Sequence, residues 1–250
     1  MGKPFEGRVV LVTGASSGLG ETAAVLLAEA GATVFGTARR REALDAARVR
    51  YPQIRWLLAD VKDASAVKVA VDGVVREAGR LDVLVNNAAI FVFGPIDQAS
   101  EETLRSQFEA NVFGLVFVSQ AALPALKESR GSIVNISSAA GHMASPGGSI
   151  YGATKAAVES FTRSWALELA PLGVRVNAIA PGPTETPGFD KGGLTPEQVA
   201  AVKASFVKQV PLGRMASTEE VSRWIVSLAD PSVTWITGQV LSVDGGMSLT

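Results

Sequence analysis

The sequence predicts a single α/β domain: a doubly wound sheet of about seven parallel strands with helices on both faces. Short apolar runs rich in β-branched residues, such as Arg8–Val12, alternate with segments of helical periodicity. Such runs are typical of parallel strands that are buried on both faces. A glycine-rich turn also follows the first of these strands and opens the first helix. With 250 residues, 47% of them hydrophobic, the chain has the size of one such domain.

The elements alternate along the chain. Strands are predicted at 8–12, 33–37, 54–59, 81–85, 132–136, 174–179 and 239–243. Helices are predicted at 21–30, 67–78, 101–127, 151–170, 196–209 and from 217 or 218 onward. Pro124 is expected to end or kink the long helix, and Asp60 and Asp63 are alternative caps for the helix after the third strand. No linker is apparent, so we expect one domain over 1–250, with a substrate lid inserted at about 183–211.

The composition excludes several classes of function. Twenty-three basic and 24 acidic residues give a net charge of −1, which argues against a nucleic-acid partner. There is no cysteine and only one histidine, so we expect no metal site. Neither a secretory signal nor an apolar run of membrane-spanning length is visible. We expect a cytoplasmic protein without a membrane partner, whose redox chemistry would come from an organic cofactor.

Glycines 14, 18 and 20 form a turn between the first strand and the first helix. Glycines let the backbone turn tightly and approach a pyrophosphate, and the helix N-terminus adds free N–H groups. This context indicates a dinucleotide site. The spacing G-x3-G-x-G is not the commoner G-x-G-x-x-G, and an ordinary strand–helix turn is the alternative.

The second strand ends in Ala38-Arg39-Arg40. An acidic residue at this tip selects NAD by binding the ribose 2′-OH, whereas an arginine accommodates the 2′-phosphate of NADP. Guanidinium groups bind phosphate through charge-assisted, often bidentate hydrogen bonds. Arg39 and Arg40 therefore favour NADP(H); the alternative is a solvated helix start.

The stretch from Ser138 to Lys155 carries the candidate chemistry. Tyr151 and Lys155 are four residues apart in a predicted helix and so share one face. An ammonium beside a phenol favours the phenolate and lowers the pKa of the tyrosine. Ser138, after a strand, would bring a hydroxyl to the same point. This pattern indicates a proton-transfer site for a carbonyl/alcohol pair. His142 is interpreted as a loop residue at the pocket mouth rather than a general base.

Three asparagines need an explanation. Asn86 and Asn87 follow the fourth strand and are expected to tie neighbouring loops together rather than to lie in the core. Asn111 interrupts the apolar stripe of the long helix and needs a polar partner. It is either functional or a structural residue bonded to a neighbouring loop.

The ordered set of motifs resembles the short-chain dehydrogenases/reductases along essentially the whole chain. The matching residues are Thr13-Gly14-x3-Gly18-x-Gly20, Asp60, Asn86-Asn87-Ala88, Asn111, Ser138, Tyr151-x3-Lys155 and Pro181-Gly182 with Thr186. The resemblance implies a Rossmann domain and a dinucleotide-dependent oxidoreductase. Ala89 departs from the pattern, since the family usually has glycine there, and this puts the local backbone angle in question.

The resemblance also implies roles for individual residues. Tyr151 would be the general acid/base, and Ser138 would hold and polarise the substrate oxygen. Lys155 would bind the nicotinamide ribose and lower the pKa of Tyr151, and Asn111 would complete a water-mediated proton relay. The residues expected to bind NADP(H) are Gly14, Ser16, Ser17, Gly18, Leu19, Gly20, Arg39, Arg40, Asp60, Val61, Asn87, Ala88, Ala89, Tyr151, Lys155, Pro181, Gly182, Thr184 and Thr186.

The predicted activity is reversible, NADP(H)-dependent reduction of a ketone to a secondary alcohol. A 3-oxoacyl-thioester (acyl-carrier-protein) reductase is the alternative. A dinucleotide-binding sensor without chemistry is a remote one, because the serine, tyrosine, lysine and asparagine are all retained. A hydrophobic substrate is favoured by apolar candidates for the pocket lining, which are Ile90, Phe91, Val92, Phe93, Met143 and Ala144. Apolar residues on several faces of the two long helices suggest subunit contacts, and the resemblance implies a homotetramer.

Overall fold

A computed structural model describes residues 2–187 and 195–250. The strands are β1 (Val9–Val12), β2 (Thr33–Ala38), β3 (Arg55–Leu58), β4 (Val83–Asn86), β5 (Ser132–Ile136), β6 (Arg175–Pro181) and β7 (Val240–Val243). Within the described residues these seven strands form one parallel sheet in the order β3-β2-β1-β4-β5-β6-β7. The predicted fold class is confirmed.

The helices alternate with the strands. They are α1 (Gly18–Glu29), α2 (Arg41–Arg50), α3 (Ala64–Ala78), α4 (Glu101–Phe108), α5 (Gly114–Ser129), α6 (Ser149–Leu169), α7 (Pro196–Gln209) and α8 (Thr218–Ala229). Of the predicted lid at about 183–211, residues 188–194 lie outside the described part of the chain. The described remainder consists of an irregular segment after β6, then α7 and the turn that follows it.

Successive residues of the central strands fill two different cores. Val10 and Val12 of β1 pack with α1, α2 and α8 on one face of the sheet. Val9 and Leu11 pack with α3, α5 and α6 on the other face. Side chains alternate between the faces of a strand, so a sheet covered on both sides needs apolar residues at every position. This is why the strands are continuous apolar runs in the sequence.

The strand order places a crevice at the centre of the sheet. The chain winds outward from β1 through β2 to β3, then returns to place β4 on the other side of β1. In open parallel sheets, ligands bind at the carboxyl ends of the strands where the order reverses in this way. The glycine-rich turn leaves β1 at this point, and Asn87–Ala89 leave β4 beside it.

The long helix differs from the prediction of one helix over 101–127. It consists of α4, a π-helical turn at Glu109–Phe113, and α5, which runs to Ser129. Pro124 lies inside α5 and does not end it. The carbonyl that its missing N–H leaves unbonded belongs to Gln120, an exposed residue whose carbonyl can bond water instead.

Three other helices begin two or three residues earlier than predicted, namely α1, α3 and α6. The cap of α3 is Asp63, whose carboxylate accepts hydrogen bonds from the Ser65 and Ala66 N–H groups at 2.9 and 3.1 Å. Asp60 instead accepts one from the Lys62 N–H at 3.0 Å. Of the two alternatives, Asp63 is therefore the cap.

By length and composition alone, one helical run among the described residues, Glu101–Ser129, is apolar enough to cross a membrane. Its most apolar window has a mean hydropathy of 1.3, and 56% of that window is buried inside the protein. Val118, Ala122 and Leu126 belong to the core beneath the sheet. A helix that packs in the core of a protein can be as long and as apolar as a membrane-spanning one, and this run is such a core helix.

At the amino ends of the strands, Asp82 joins β1 to β4. The buried carboxylate accepts hydrogen bonds from the Val9 N–H at 2.9 Å, from Arg8 at 2.9 Å and from Arg80 at 2.6 and 2.8 Å. Burial alone would raise its pKa, but the bonds from Arg80, the Val9 N–H and Arg8 outweigh burial, and the pKa of Asp82 is lowered.

We expect Asp82→Asn to reduce the free energy of unfolding at pH 7 by about 1–2 kcal/mol. This is less than a fully buried ion pair would lose, because both arginines are partly exposed to solvent. A carboxylate with a lowered folded-state pKa stabilises the protein above its unfolded pKa of about 3.9 and loses this contribution as pH falls through the folded-state pKa. The difference between wild type and variant should therefore shrink below about pH 4.

Urea unfolding at pH 7 and at pH 3 measures both effects. Asp72→Asn is the control, because Asp72 pairs with Lys68 on the surface. Equal losses in the two variants at pH 7 would contradict the role assigned to Asp82.

Candidate active site

The structure brings the serine and the tyrosine together. Tyr151 lies in the first turn of α6, and Ser138 follows β5. The Ser138 side chain caps a short helical turn at Ala139–Gly141, where its oxygen accepts a hydrogen bond from the Ala140 N–H at 3.2 Å. The same side chain hydrogen-bonds the Tyr151 phenol. Two hydroxyl groups thus meet at the carboxyl end of β5.

Lys155 lies one turn after Tyr151 on the same face of α6 and is fully buried. Its ammonium donates a hydrogen bond to the Ile136 carbonyl at 2.7 Å and lies 5.7 Å from the centroid of the Tyr151 ring. Burial lowers the pKa of Lys155 to about 8. The side chain is therefore anchored to β5 and lies beside the phenol.

The pKa of Tyr151 does not follow the expectation from sequence. Burial raises it to about 12, and the hydrogen bond from Ser138 opposes this only in part. Although Tyr151 keeps some exposed surface, dense packing around the phenol penalises its charged form. The Lys155 ammonium is directed at a main-chain carbonyl, so the protein's own groups leave Tyr151 protonated at neutral pH.

Asn111 is 2% exposed and lies in the π-helical turn. Its amide accepts a hydrogen bond from the Ile90 N–H at 2.7 Å, and donates to the Ile90 carbonyl at 2.7 Å and to the Thr154 hydroxyl at 3.0 Å. Thr154 in turn donates to the Tyr151 carbonyl at 2.7 Å. These contacts are those of a structural asparagine that holds a neighbouring loop. The proton relay through Asn111 stays a prediction.

The glycine-rich turn has the backbone that a phosphate cradle needs. Gly14 and Gly18 have φ angles of 64° and 61°, in the left-handed region that favours glycine. A Cβ on Gly14 would lie 2.9 Å from the Ala88 Cα, and one on Gly20 would collide with the Asn87 side chain. Glycines are therefore required here because the Asn87–Ala88 loop packs closely on the turn. A glycine-rich backbone that opens a helix fits the phosphates of a dinucleotide.

The remaining residues of this turn surround the start of α1. Ser17 is its N-cap residue, with an extended backbone and no side-chain cap bond. Ser16 precedes it, and its carbonyl accepts a hydrogen bond from Arg50 at 3.2 Å. Leu19 packs against the core. The first N–H groups of α1 therefore receive no side-chain cap from Ser17.

The loop after β4 is fastened to this turn. The Asn87 side chain donates hydrogen bonds to the carbonyls of Thr13 at 2.9 Å and Gly14 at 3.2 Å. The Thr13 hydroxyl accepts the N–H groups of Asn87 and Ala88, both at 3.0 Å. The expectation that Asn87 ties two loops together is confirmed. Arg130 is the one non-glycine residue with positive φ in the described ranges, so Ala89 carries no such strain.

The same expectation was wrong for Asn86. It is the last residue of β4 and only 4% exposed, and its amide donates hydrogen bonds to Ser119 at 2.9 Å and Asn135 at 3.0 Å. These partners come from α5 and β5, which lie beside β4 only in the folded chain. Asn86 is therefore a core residue.

The other predicted cofactor residues all lie at the carboxyl edge of the sheet. Arg39 follows β2 and Arg40 caps α2, and both side chains are exposed. Asp60 and Val61 follow β3, and a Cβ on Gly114 would lie 2.8 Å from the Val61 side chain. Because β2 and β3 are neighbours in the sheet, these adenosine-binding candidates lie on the same side of the glycine-rich turn that follows β1.

Residues 181–186 continue from β6 toward the same crevice. A Cβ on Gly182 would lie 2.7 Å from the Asp244 Cα, which explains why glycine follows Pro181. Thr184 is buried and donates a hydrogen bond to the Gly182 carbonyl at 3.0 Å. A Cβ on Gly18 would lie 3.6 Å from the Thr186 side chain. Thr186 therefore borders the glycine-rich turn.

His142 is tied to the protein through both ring nitrogens. Nδ1 lies 2.9 Å from the carboxylate of Glu159, which is 3% exposed, and Nε2 lies 3.3 Å from the Ser242 hydroxyl. Glu159 also accepts a hydrogen bond from Ser137 at 3.1 Å. These contacts fit the structural interpretation of His142 in its loop.

Two residues at this site were not predicted. Gln107 is fully buried and bonds the backbone of Val92, and Glu159 holds His142 from within α6. Gln107 precedes Asn111 by one helical turn, and this spacing is the signal that sequence reasoning missed. Nothing along the chain connects Glu159 with His142.

Comparisons with known proteins identify the family of this chain. A family model described as enoyl-(acyl carrier protein) reductase matches residues 14–248. The chain is 38% identical, over 97% of its length and 98% of the relative's, to the 3-oxoacyl-[acyl-carrier-protein] reductase FabG of Thermotoga maritima. It is also 38% identical to a cis-4-hydroxycyclohexanecarboxylate dehydrogenase of Sinomonas cyclohexanicum, over 98% of each chain.

A solved structure agrees as well. A short-chain dehydrogenase/reductase of unknown function from Caenorhabditis elegans, crystallised with cofactor, superposes with a TM-score of 0.90 at 31% identity, covering 99% of this chain and 97% of the other. The chain therefore belongs to the short-chain dehydrogenases/reductases, oxidoreductases that bind a nicotinamide dinucleotide.

Proposed function

We propose that this protein is an NADP(H)-dependent oxidoreductase that reduces a ketone to a secondary alcohol, reversibly, with Tyr151 as general acid/base. The observation that carries the proposal is the meeting of the Ser138 and Tyr151 hydroxyls beside the Lys155 ammonium. This group lies at the same sheet edge as the glycine-rich turn. A carbonyl oxygen placed there meets two hydroxyl donors.

The side chains divide the chemistry between them. NADPH, held by the glycine-rich turn and the residues around it, would supply the hydride for the carbonyl carbon. Ser138 and Tyr151 donate hydrogen bonds to the oxygen as it becomes negative, and preorganised donors of this kind contribute about 3–4 kcal/mol each. Tyr151 then transfers its proton to that oxygen. The charged Lys155 stabilises the phenolate that remains, because an opposite charge nearby favours the ionised form.

The raised pKa of Tyr151 suits the direction of reduction. A phenol with a pKa of about 12 holds its proton at neutral pH, so it is in the form needed by a general acid. The oxidative direction needs the phenolate and must therefore overcome the burial penalty. The pKa of Tyr151 therefore suits its role as the acid in ketone reduction near neutral pH.

Exposed guanidinium groups support NADP(H) over NAD(H). Arg39 and Arg40 follow β2, where an acidic residue would bind the ribose 2′-OH of NAD. Both side chains are solvent-accessible and stand at the carboxyl edge near the turn. A 2′-phosphate in this position would be bound through charge-assisted hydrogen bonds.

A 3-oxoacyl-thioester reductase is the second candidate. It is favoured by the name of the Thermotoga relative and by the description of the family model, both of which refer to acyl carrier protein. The aromatic wall beside Tyr151, formed by Phe91 and Phe93, instead favours a simple hydrophobic ketone that is not part of a thioester. Phe93 and Phe91 lie with ring centroids 5.3 and 6.4 Å from that of Tyr151. The relative named for a hydroxycyclohexanecarboxylate shows that a cyclic alcohol is accepted within this similarity range.

We further propose that the protein is a cytoplasmic homotetramer. Large apolar side chains on α6 and in the π-helical turn are left exposed by the single chain, notably Leu167 (81%) and Phe113 (52%). Trp224 on α8 and Trp235 before β7 are exposed as well, at 50% and 98%. Large exposed apolar side chains of this kind are typical of interaction surfaces.

We expect Tyr151→Phe to reduce kcat for ketone reduction by about 1,000-fold, since general acid catalysis contributes about 100- to 10,000-fold. The affinity for NADPH should stay within about threefold, because Ser138 and Lys155 remain. Tyr51→Phe, the only other tyrosine in the sequence, is the control and should keep wild-type activity within a few-fold. NADPH consumption measures turnover. Substantial activity in Tyr151→Phe would exclude the proposed mechanism.

Arg39→Ala should weaken NADPH binding by roughly 10- to 100-fold, which corresponds to the loss of a hydrogen bond between charged groups. NADH binding should change little, so the cofactor preference falls by the same factor. Arg48→Ala serves as the control, because Arg48 is an exposed residue of α2 paired with Asp45. Titration of each variant with NADPH and NADH gives the dissociation constants. A tenfold preference of the wild type for NADH would overturn the assignment.

The rate of ketone reduction should fall as pH rises through about 8. Lys155 carries its charge below its pKa of about 8 and loses it above, whereas Tyr151, with a pKa of about 12, stays protonated throughout this range. The slope should approach tenfold per pH unit above the transition. A profile of kcat/KM from pH 6 to 10 at saturating NADPH tests this, and a flat profile would show that the charge of Lys155 is not required.

A further inference from the structure

The loop after β4 is held by two buried amides. Asn111 accepts the Ile90 N–H and donates to the Ile90 carbonyl, both at 2.7 Å. Gln107 does the same for Val92, at 3.1 and 3.3 Å. Both amides are almost completely buried, at 2% and 0% exposure. Each amide therefore bonds both the N–H and the carbonyl of one loop residue. In a sheet, a neighbouring strand would provide these two hydrogen bonds.

The spacing of the two amides matches the spacing of the residues that they bind. Gln107 and Asn111 are four residues apart, a rise of about 6 Å along a helix. Ile90 and Val92 are two residues apart, about 6.6 Å along an extended chain. In an extended chain, alternate residues direct their N–H and carbonyl groups to the same side. The helix thus serves as a side-chain substitute for the missing strand.

The aromatic wall consists of Phe91, which lies between the two residues bound by the amides, and Phe93, which follows them. Phe91 and Phe93 lie on the same side of the extended loop, since they are two residues apart. Their ring centroids are 6.4 Å from each other, and that of Phe93 is 5.3 Å from the Tyr151 ring. The Gly94 N–H also bonds the Gly147 carbonyl at 2.9 Å, just before α6. The loop is therefore fixed at both ends relative to Tyr151.

We propose that Gln107 is a positioning residue for the substrate pocket, and that the wall it supports selects cyclic and aryl ketones through Phe93. This inference rests on the proposed ketone reduction. The Phe93 ring is 49% exposed although it lies beside Tyr151, so half of its surface is available to a substrate. Phe91 is also exposed, at 41%, so the two rings beside Tyr151 form an apolar surface that favours a hydrocarbon.

A rigid ring suits this surface better than an acyl chain. A flexible chain loses rotamer freedom when it is immobilised, and this loss opposes binding. A cyclic ketone is already rigid and can lay one face on the Phe93 ring while its oxygen reaches Tyr151. Aromatic side chains also favour offset or edge contacts with neighbouring rings.

The test compares cyclohexanone with 2-butanone and with an acetoacetyl thioester of N-acetylcysteamine, each with NADPH and the full chain. In the wild type, kcat/KM should be at least tenfold higher for cyclohexanone than for 2-butanone. Phe93→Ala should remove this preference, mainly through a higher KM for cyclohexanone. Phe93 is half-exposed, so this variant tests the wall without disturbing the core.

Gln107→Met keeps the size of the side chain but removes both hydrogen bonds to Val92. It should raise KM for cyclohexanone about tenfold, with kcat and the affinity for NADPH within threefold, because Tyr151 and the glycine-rich turn are untouched. Gln53→Met is the control at an exposed position. A merely structural role for Gln107 would lower kcat for all three substrates together.

The outcomes separate this inference from the proposed function. A wild type that reduces none of the substrates would contradict the function itself. A wild type that prefers the thioester or 2-butanone would leave the reaction class standing and overturn the inference. Unchanged substrate ratios in both variants would overturn it as well. If Gln107→Met does not fold, Phe93→Ala alone decides on the wall.

Discussion

The polar backbone at the carboxyl edge of the sheet must find hydrogen-bond partners where the strands end, and the site depends on how it does so. Beyond Asn86 the chain leaves the sheet and has no strand beside it. Side chains replace the strand: Thr13 and Asn87 bond the first part of the loop, and Asn111 and Gln107 the second. An unpaired buried N–H or carbonyl is costly, so these bonds fix the loop firmly. At the start of this loop Ala88 adjoins the glycine-rich turn, and further along Phe93 adjoins Tyr151.

Burial has opposite consequences for the two ionisable groups at the reacting centre. It disfavours the charged form of each, so it raises the pKa of Tyr151 and lowers that of Lys155. Tyr151 therefore keeps its proton at neutral pH, whereas Lys155, with a pKa of about 8, loses its charge in mildly alkaline solution. The short anchor from Lys155 to the Ile136 carbonyl keeps the ammonium in place at little cost, because β5 is rigid. The sheet thus fixes the position of the Lys155 ammonium. The charge of Lys155 depends in addition on the molecule bound beside it.

The features that depend on neighbours in the chain could be predicted from the sequence. Strand alternation, the glycine-rich turn after β1 and the spacing of Tyr151 and Lys155 are all local, and the structure reproduces them. The parts that depend on distant partners could not. Asn86 lies in the core because Ser119 and Asn135 fold against it. Gln107 is paired only because the loop returns to α4. The pKa of Tyr151 was expected to fall, yet packing density, which no motif encodes, raises it.

The π-helical turn at Glu109–Phe113 has a consequence for how this pocket can change over generations. Successive residues of a helix differ by about 100° around its axis. Losing or gaining one residue in this turn would rotate α4 relative to α5 by that angle. The side chain offered to Val92 would then be a neighbour of Gln107, either Ser106 or Phe108, while Asn111 and the sheet stayed as they are. A single codon deletion is therefore a short evolutionary path to a different pocket wall on an unchanged catalytic frame.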